Sequence, residues 1–326
     1  MATSSTPSTS TSPLPCLVLD YGGDQRATLF GVSDGAHRAC GAEELRGKRA
    51  WPTSHGWVLA CDPATAATFL WNPRAPPEAG GGRVLALPPL AQPSPPAESL
   101  RALSGRPTGA GGCTVVLVEP PHQSTVLCIP VPEGLCWCKR VISDLASCRG
   151  RFYYFHSATE YGVIDFPPAG PPAFGTVPMA KVPVEAVHGH GLHVPRGDRG
   201  ELYKASVVPR RHDINSVASV AVHRMDFAFA RKKPVRVRSI GDRAILAGSS
   251  SCFAGWCPAP EFGLQPNTVY WMSRKDKRLH VLDIGTGTDQ VREPCKGVAE
   301  RKKLGGDGPQ TLSRADPCWM NATWTV

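Results

Sequence analysis

The chain has 326 residues, and 36 Lys plus Arg against 27 Asp plus Glu give a formal charge of +9. Its 33 Gly and 33 Pro are too many for a helical bundle, because both break helices. A hydrophobic content of 41% is enough for a sizeable core, and no run approaches the roughly 18 apolar residues that a membrane helix needs.

The opening Met1–Pro15 is Ser- and Thr-rich and lacks the basic and apolar regions of a secretory signal. It is acid-poor, as organellar transit peptides are, so plastid or mitochondrial targeting stands as the alternative reading. The reading adopted is a disordered tail, residues 1–15, on a cytoplasmic or nuclear protein. In those compartments the 12 cysteines are reduced thiols, and Asn321-Ala322-Thr323 is a chance match to a glycosylation sequon.

From Cys16 onward the chain repeats one theme, two short apolar strands around a polar turn. Cys16–Asp20 precedes Ala27–Val32, Gly56–Cys61 precedes Thr68–Trp71, and Cys113–Val118 precedes Thr125–Ile129. Further on, Arg151–Phe155 precedes Tyr161–Phe166, and Thr268–Met272 precedes Leu279–Ile284. Such runs, rich in Val, Ile, Leu and aromatics and bounded by Gly, Pro and Asp, are the signature of hairpins. Helical signal is confined to a turn or two at Ala42–Arg46 and Glu98–Leu103. Pro73–Gly112 holds 9 Pro and 7 Gly in 40 residues, and reads as a flexible insertion with one strand-like piece, Arg83–Leu87.

Several hairpins start about 40 residues apart, the repeat length of a propeller blade. The expected fold is therefore all-β: a single β-propeller domain over residues 16–326, with kelch-like four-stranded blades, about six to seven of them. A β-sandwich with long loops is the rival. Trp319–Trp324 looks like a closing strand.

Charge is uneven. Residues 1–195 carry 14 basic and 14 acidic side chains, whereas residues 196–303 carry 21 and 11. The surplus is densest in Arg231-Lys232-Lys233-Pro234-Val235-Arg236-Val237-Arg238. There Val235 and Val237 alternate with Arg236 and Arg238, as in a strand with one buried face. Either this is a solvated strand face, or Arg231, Lys232, Lys233, Arg236 and Arg238 meet an acidic partner. Aromatic residues that would stack on single-stranded nucleic acid are missing from it.

A set of short motifs, in order, resembles a plant family, the KIB-type β-propellers (domain of unknown function 295). They are Ser54-His55-Gly56-Trp57, Leu70-Trp71-Asn72-Pro73, Leu87-Pro88-Pro89-Leu90, Gly150-Arg151-Phe152-Tyr153, Gly241-Asp242-Arg243-Ala244-Ile245-Leu246, Leu264–Trp271 and Leu282-Asp283-Ile284. Each also has a folding role. Gly56 and Asn267 suit turns of unusual φ, the prolines end strands, and Asp242 can bond backbone amides two residues on. Gly56, Trp57, Tyr270 and Trp271 are thus expected to be structural. Two departures stand out: no F-box helices precede the first strand, and Ala186–Val208 is irregular enough to suggest one degenerate blade.

Other constellations are weak. His188, His190 and His193 lack the spacing and partners of a metal site. Cys136, Cys138 and Cys148, with Cys252 and Cys257, do not form paired CxxC motifs. Gly248–Ser251 has no nucleophile-elbow context, Gly285–Thr288 opens no helix, and Arg196-Gly197-Asp198 is a turn. No catalytic residue, metal ligand or cofactor is assigned.

The expected function is a non-enzymatic, monomeric protein-interaction module with no membrane association. The resemblance implies substrate recognition for ubiquitin ligases or regulation of a signalling partner. Without an F-box the chain is not expected to dock a Skp adaptor on its own. The alternatives are a nucleic-acid scaffold using the basic half and, behind it, a propeller hydrolase or metal enzyme.

Overall fold

The computed structural model describes residues 15–19, 28–39, 42–53, 55–75, 82–89, 95, 99–107, 113–118, 125–131, 136–139, 142–167, 171–180, 190–196, 201–210, 217–225, 227, 234–248, 253–273, 277–295 and 318–320. Strands come in short meanders. The first is β1 (Cys16–Leu19), β2 (Thr28–Gly31) and β3 (His37–Ala39). The second is β4 (Arg49–Pro52), β5 (Val58–Cys61), β6 (Thr68–Trp71) and β7 (Val84–Leu87). The third is β8 (Leu100–Leu103), β9 (Cys113–Val118), β10 (Thr125–Val131) and β11 (Cys136–Lys139). The fourth is β12 (Ser143–Cys148), β13 (Arg151–Phe155), β14 (Glu160–Asp165) and β15 (Ala173–Pro178). The fifth is β16 (His190–Arg196), β17 (Glu201–Pro209), β18 (Val217–Met225) and β19 (Val235–Val237). The last comprises β20 (Arg243–Gly248), β21 (Phe253–Pro258), β22 (Thr268–Met272), β23 (Leu279–Asp283) and β24 (Asp289–Arg292), after which β25 (Cys318–Met320) follows.

The second to fifth sheets are simple antiparallel meanders, and β25 pairs antiparallel with β1 to complete the first. Strands from the two ends of the chain thus share a sheet, as the closing-strand reading of Trp319 expected. Among the described residues five sheets have the expected four strands, so four-stranded blades number five and not the expected six to seven. The sixth has five, because β21 folds back on β20 and β22 then runs parallel to β20.

The core lies between sheets. Each of the described apolar clusters is shared by two neighbours: Cys16, Leu29, Val58 and Trp71 between the first and second sheets, and Leu59, Leu70, Leu103 and Val115 between the second and third. Val116, Phe152 and Ile164 join the third and fourth, and Tyr153, Tyr161, Leu202 and Met225 the fourth and fifth. Val222, Ile245, Val269 and Trp271 join the fifth to the sixth, and Leu17, Phe30, Leu246 and Tyr270 the sixth to the first. Contacts among β8, β12, β16 and β21, and of β25 with β4 and β20, bring the leading strands of the sheets together. This is the ring of a β-propeller.

All five hairpins read from sequence are present, as β1–β2, β5–β6, β9–β10, β13–β14 and β22–β23. Three expectations need correction. Glu98–Leu103 forms a strand, β8, rather than helical turns, because Leu103 is completely buried and Arg101 and Ala102 nearly so once β8 pairs with β9. With β7 and β8 both inside Pro73–Gly112, that stretch contributes to two sheets. Ala186–Val208 is no degenerate hairpin either: β16 and β17 pair over seven residues, and β17 reaches nine, with glycines at the margins. Ala42–Arg46 keeps one short 3-10 turn, Glu43–Leu45.

Asn267 explains how the unusual sixth sheet is held. Its backbone is left-handed (φ 56°), its Oδ1 accepts the Ile240 amide at 2.9 Å, and its own amide donates to the Arg243 carbonyl at 2.8 Å. Its carbonyl accepts the Ile284 amide at 3.0 Å, so one residue ties the ends of β20, β22 and β23. Asp242 makes no side-chain hydrogen bond among the described residues; Ser239 Oγ instead accepts from the Gly241 amide. Asn267→Ala loses the side-chain bond and strains the backbone, whereas Asn267→Gly relieves only the strain. Chemical denaturation should show Ala costing about 1–3 kcal/mol and Gly less than Ala. Equal losses would mean that φ is not part of the role.

Trp57, Tyr270 and Trp271 are buried, with 6%, 1% and 5% exposure, and Gly56 has φ 79° as the motif reading expected. Trp57→Ala or Trp271→Ala should cost about 3–5 kcal/mol in denaturant titrations. Wild-type stability in both would show that these rings do not hold the seams.

Candidate interaction surface

The basic stretch ends on β19, the last strand of the fifth sheet, which pairs with β18 through Val222–Val237, His223–Arg236 and Arg224–Val235. Period-two alternation sends Val235 and Val237 to the face shared with the sixth sheet, and Arg236 to the other. Val237 packs against that shared cluster. Val235 does not; it lies opposite Arg224, where the apolar seam has ended, and is 43% exposed. The expected buried face is therefore half right, because the strand outruns the core that would cover it.

Arg236 and Arg238 are exposed on this outer rim. Arg238 begins the turn after β19, and its carbonyl accepts from the Asn267 side-chain Nδ2 at 3.5 Å. The turn is thus anchored to the sixth sheet while its guanidinium faces solvent. Arg224, one strand inward, pairs with Glu201 at 4.0 Å. Arg231, Lys232 and Lys233 lie outside the described residues, so the rim brings together two of the five expected cations.

The other sequence constellations lie partly outside the described residues. His188 lies outside the described residues, while His190 and His193 sit on β16 opposite Val207 and Lys204. Cys136 and Cys138 sit on β11, opposite Cys128 and Val126, with Cys148 on β12. Cys148 and Cys257 are buried thiols, pushed up to about 11 and about 12 by burial, which keeps them protonated. Cys252 and Gly197 are outside the described residues, as are Ser249, Ser250 and Ser251. Gly285–Thr288 is the turn between β23 and β24, closed by Asp283 Oδ1, which accepts from the Thr286 amide at 2.7 Å. No cluster of three or more potential metal ligands occurs among the described residues.

Buried polar groups at the seams escaped the sequence reading. Arg101, within β8, donates from Nε to the Pro52 carbonyl at 2.9 Å and from Nη1 to the Ser99 carbonyl at 3.2 Å, linking the second and third sheets. Lys204, on β17 and 2% exposed, faces Asp144 at 3.8 Å across the seam between the fourth and fifth sheets. Its ammonium also lies over the Phe155 ring, 5.1 Å from the centroid. Burial pushes Asp144 up and Lys204 down, each opposed by the other's charge. Asp144 reaches the seam because β12 breaks register between Ser143 and Ala146, with Asp144 left-handed at φ 54°. The one sequence signal was a Lys amid the apolar run Leu202–Val207.

His55, in the Ser-His-Gly-Trp motif, is driven down to about 4 by burial, opposed by a backbone hydrogen bond with Leu103 and assisted by nearby Arg106. Its Nε2 is buried without a hydrogen-bond partner. The folded state therefore holds His55 neutral, and the unfolded chain takes up a proton first. Its contribution is intact above the ordinary His value near 6.5 and is lost as pH falls from there to about 4. That loss is on the order of 3 kcal/mol. Urea titrations of wild type and His55→Gln across this window should show a shallower slope for the variant; parallel slopes would contradict the assignment.

The KIB1-4 β-propeller family model matches residues 29–297. The chain belongs to that family. No curated protein matches it in sequence. Among solved structures, the virginiamycin B lyase of Staphylococcus aureus is similar at 9% identity and a TM-score of 0.37, over 86% of this chain and 85% of that one. The Cps50 (Swd1) β-propeller domain of Myceliophteria thermophila is similar at 8% identity and a TM-score of 0.37, over 86% of each chain.

Proposed function

We propose that this member of the KIB1-4 β-propeller family is a non-enzymatic protein-interaction module that recognises an acidic protein partner through the basic rim of its fifth sheet. Arg231, Lys232, Lys233, Arg236 and Arg238 supply the charge. The observation that carries the reading is the exposure of Arg236 on an outer strand and of Arg238 in the turn after it, which is pinned to the neighbouring sheet. A cation on an anchored frame attracts a partner without first paying to order its backbone. Position supports it too, because residues 196–303 hold a surplus of ten positive charges, from 21 basic and 11 acidic residues. The family resemblance extends the proposal to a signalling protein or a ubiquitin-ligase substrate as the partner, without docking of a Skp adaptor by this chain itself.

The test is binding of poly-glutamate to the full chain, followed by calorimetry at low and raised salt. Binding should weaken steeply with salt, since exposed charges are screened over about 8 Å at physiological ionic strength. The double variant Lys232→Glu, Lys233→Glu should bind several-fold more weakly. Salt-independent binding, or binding that the double reversal leaves unchanged, overturns the reading.

A further inference from the structure

We infer that β19 is a strand-addition site: the partner's acidic segment docks in extended form along its outer edge and becomes the fifth strand of the fifth sheet. The inference rests on the acidic-partner reading and adds the binding mode and the sequence pattern of the ligand. β19 ends its sheet, with β18 on one side and no further strand beyond it among the described residues. A terminal strand presents main-chain donors and acceptors that an extended peptide can pair with.

Val235 is the second observation. A valine 43% exposed on a sheet edge is paired to Arg224 on one side and joins no apolar cluster among the described residues. An added strand would cover it with a cross-strand neighbour, the unit by which sheets gain stability. Arg236, next along, projects to the opposite face, and Arg238 follows two residues later.

These side chains select the occupant. A second copy of this chain, paired edge to edge, would bring Arg236 and Arg238 against the same cations, and like charges directly opposed are destabilising. An acidic strand reverses that sign. Its residues should alternate, with carboxylates opposite Arg236 and Arg238 and apolar side chains opposite Val235 and Val237. A nucleic acid would satisfy the arginines through its phosphates but would leave Val235 and the strand edge unused, and β19 carries no aromatic residue for base stacking.

The experiment uses the full chain and a capped hexapeptide of alternating Glu and Val. Three comparison probes are the same residues in block order and the alternating peptide N-methylated at either its odd or its even positions. Strand addition predicts that the alternating peptide binds best. It also predicts that one N-methylated isomer loses binding by about tenfold or more while the other retains it, because only alternate amides face the protein. The variant Arg236→Glu, Arg238→Glu, with wild-type melting, should prefer an alternating Lys and Val peptide instead; Arg238→Glu alone should weaken the acidic peptide if the pair disturbs folding. Equal binding of all four acidic peptides, still salt-sensitive, overturns strand addition and leaves the acidic-partner reading standing. Binding of single-stranded oligothymidylate but of no acidic peptide overturns both.

Discussion

Among the described residues every sheet has two apolar faces, and each face packs against the sheet beside it. The pairs of neighbours form an unbroken cycle, from Cys16 and Trp71 between the first and second sheets to Leu17 and Tyr270 between the last and the first. An open row would leave two such faces in water, each losing about 25 cal/mol for every Å² of apolar area exposed. Closure is therefore the condition on which the other contacts depend. It is delivered locally by modest means: β25 pairs three residues with β1, His37 Nε2 lies 2.7 Å from the Pro294 carbonyl, and Arg292 donates to the Val32 carbonyl. Sequence-distant groups make each of these links, so closure joins chain ends that local hairpin formation cannot bring together.

The seams are alike in being apolar and differ in their buried polar groups. Arg101 marks one, Lys204 with Asp144 another, and His280, 2.9 Å from Asp289 and tilted against Trp271, sits beside a third. Removing such polar and charged groups from water costs free energy that their pairing only partly offsets, so they are poor evidence of added stability. Their geometry is more informative. Arg101 reaches carbonyls at Pro52 and Ser99 only when the second and third sheets sit in one registration, and Asp144 reaches Lys204 only because β12 bulges. An apolar seam tolerates sliding, and a seam with a directional polar link does not.

The sequence disclosed what local chemistry determines. Hairpins at Arg151–Phe155 and Tyr161–Phe166 were legible because strand composition and turn residues sit side by side. The left-handed turn at Asn267 was legible for the same reason. Leu100–Leu103 was not, since Leu-Arg-Ala-Leu has helical propensity and becomes a strand through pairing with β9, a tertiary effect. Ala186–Val208 was misread because Gly189, Gly197 and Gly200 fall outside both strands and Gly191 is accommodated within β16 opposite Ser206, so none interrupts β17. Of the rim, the charge was visible and the exposure of Val235 was not, because exposure depends on where the neighbouring sheet's apolar cluster stops.

The same closure explains why recognition chemistry belongs on the rim. Inner strands face one another, and sheet faces are consumed by the seams, so outer strands and connecting loops are left for partners. Several outer positions already have their charge answered within the chain. Arg38 on β3 pairs with Asp34, Arg83 before β7 pairs with Glu44 at 2.6 Å, and Asp289 on β24 is held by His280. Arg278 and Glu293, flanking the last sheet's hairpin, pair at 3.2 Å. Each of these edges is nearly neutral at short range. On the fifth sheet Arg236 lies exposed on the outer strand and Arg238 exposed in the turn that follows, while Arg224, one strand inward, is opposite Glu201 at 4.0 Å. Residues 196–303, which include β17 to β24, carry 21 basic against 11 acidic side chains, so this part of an otherwise uniform scaffold is electrostatically distinct.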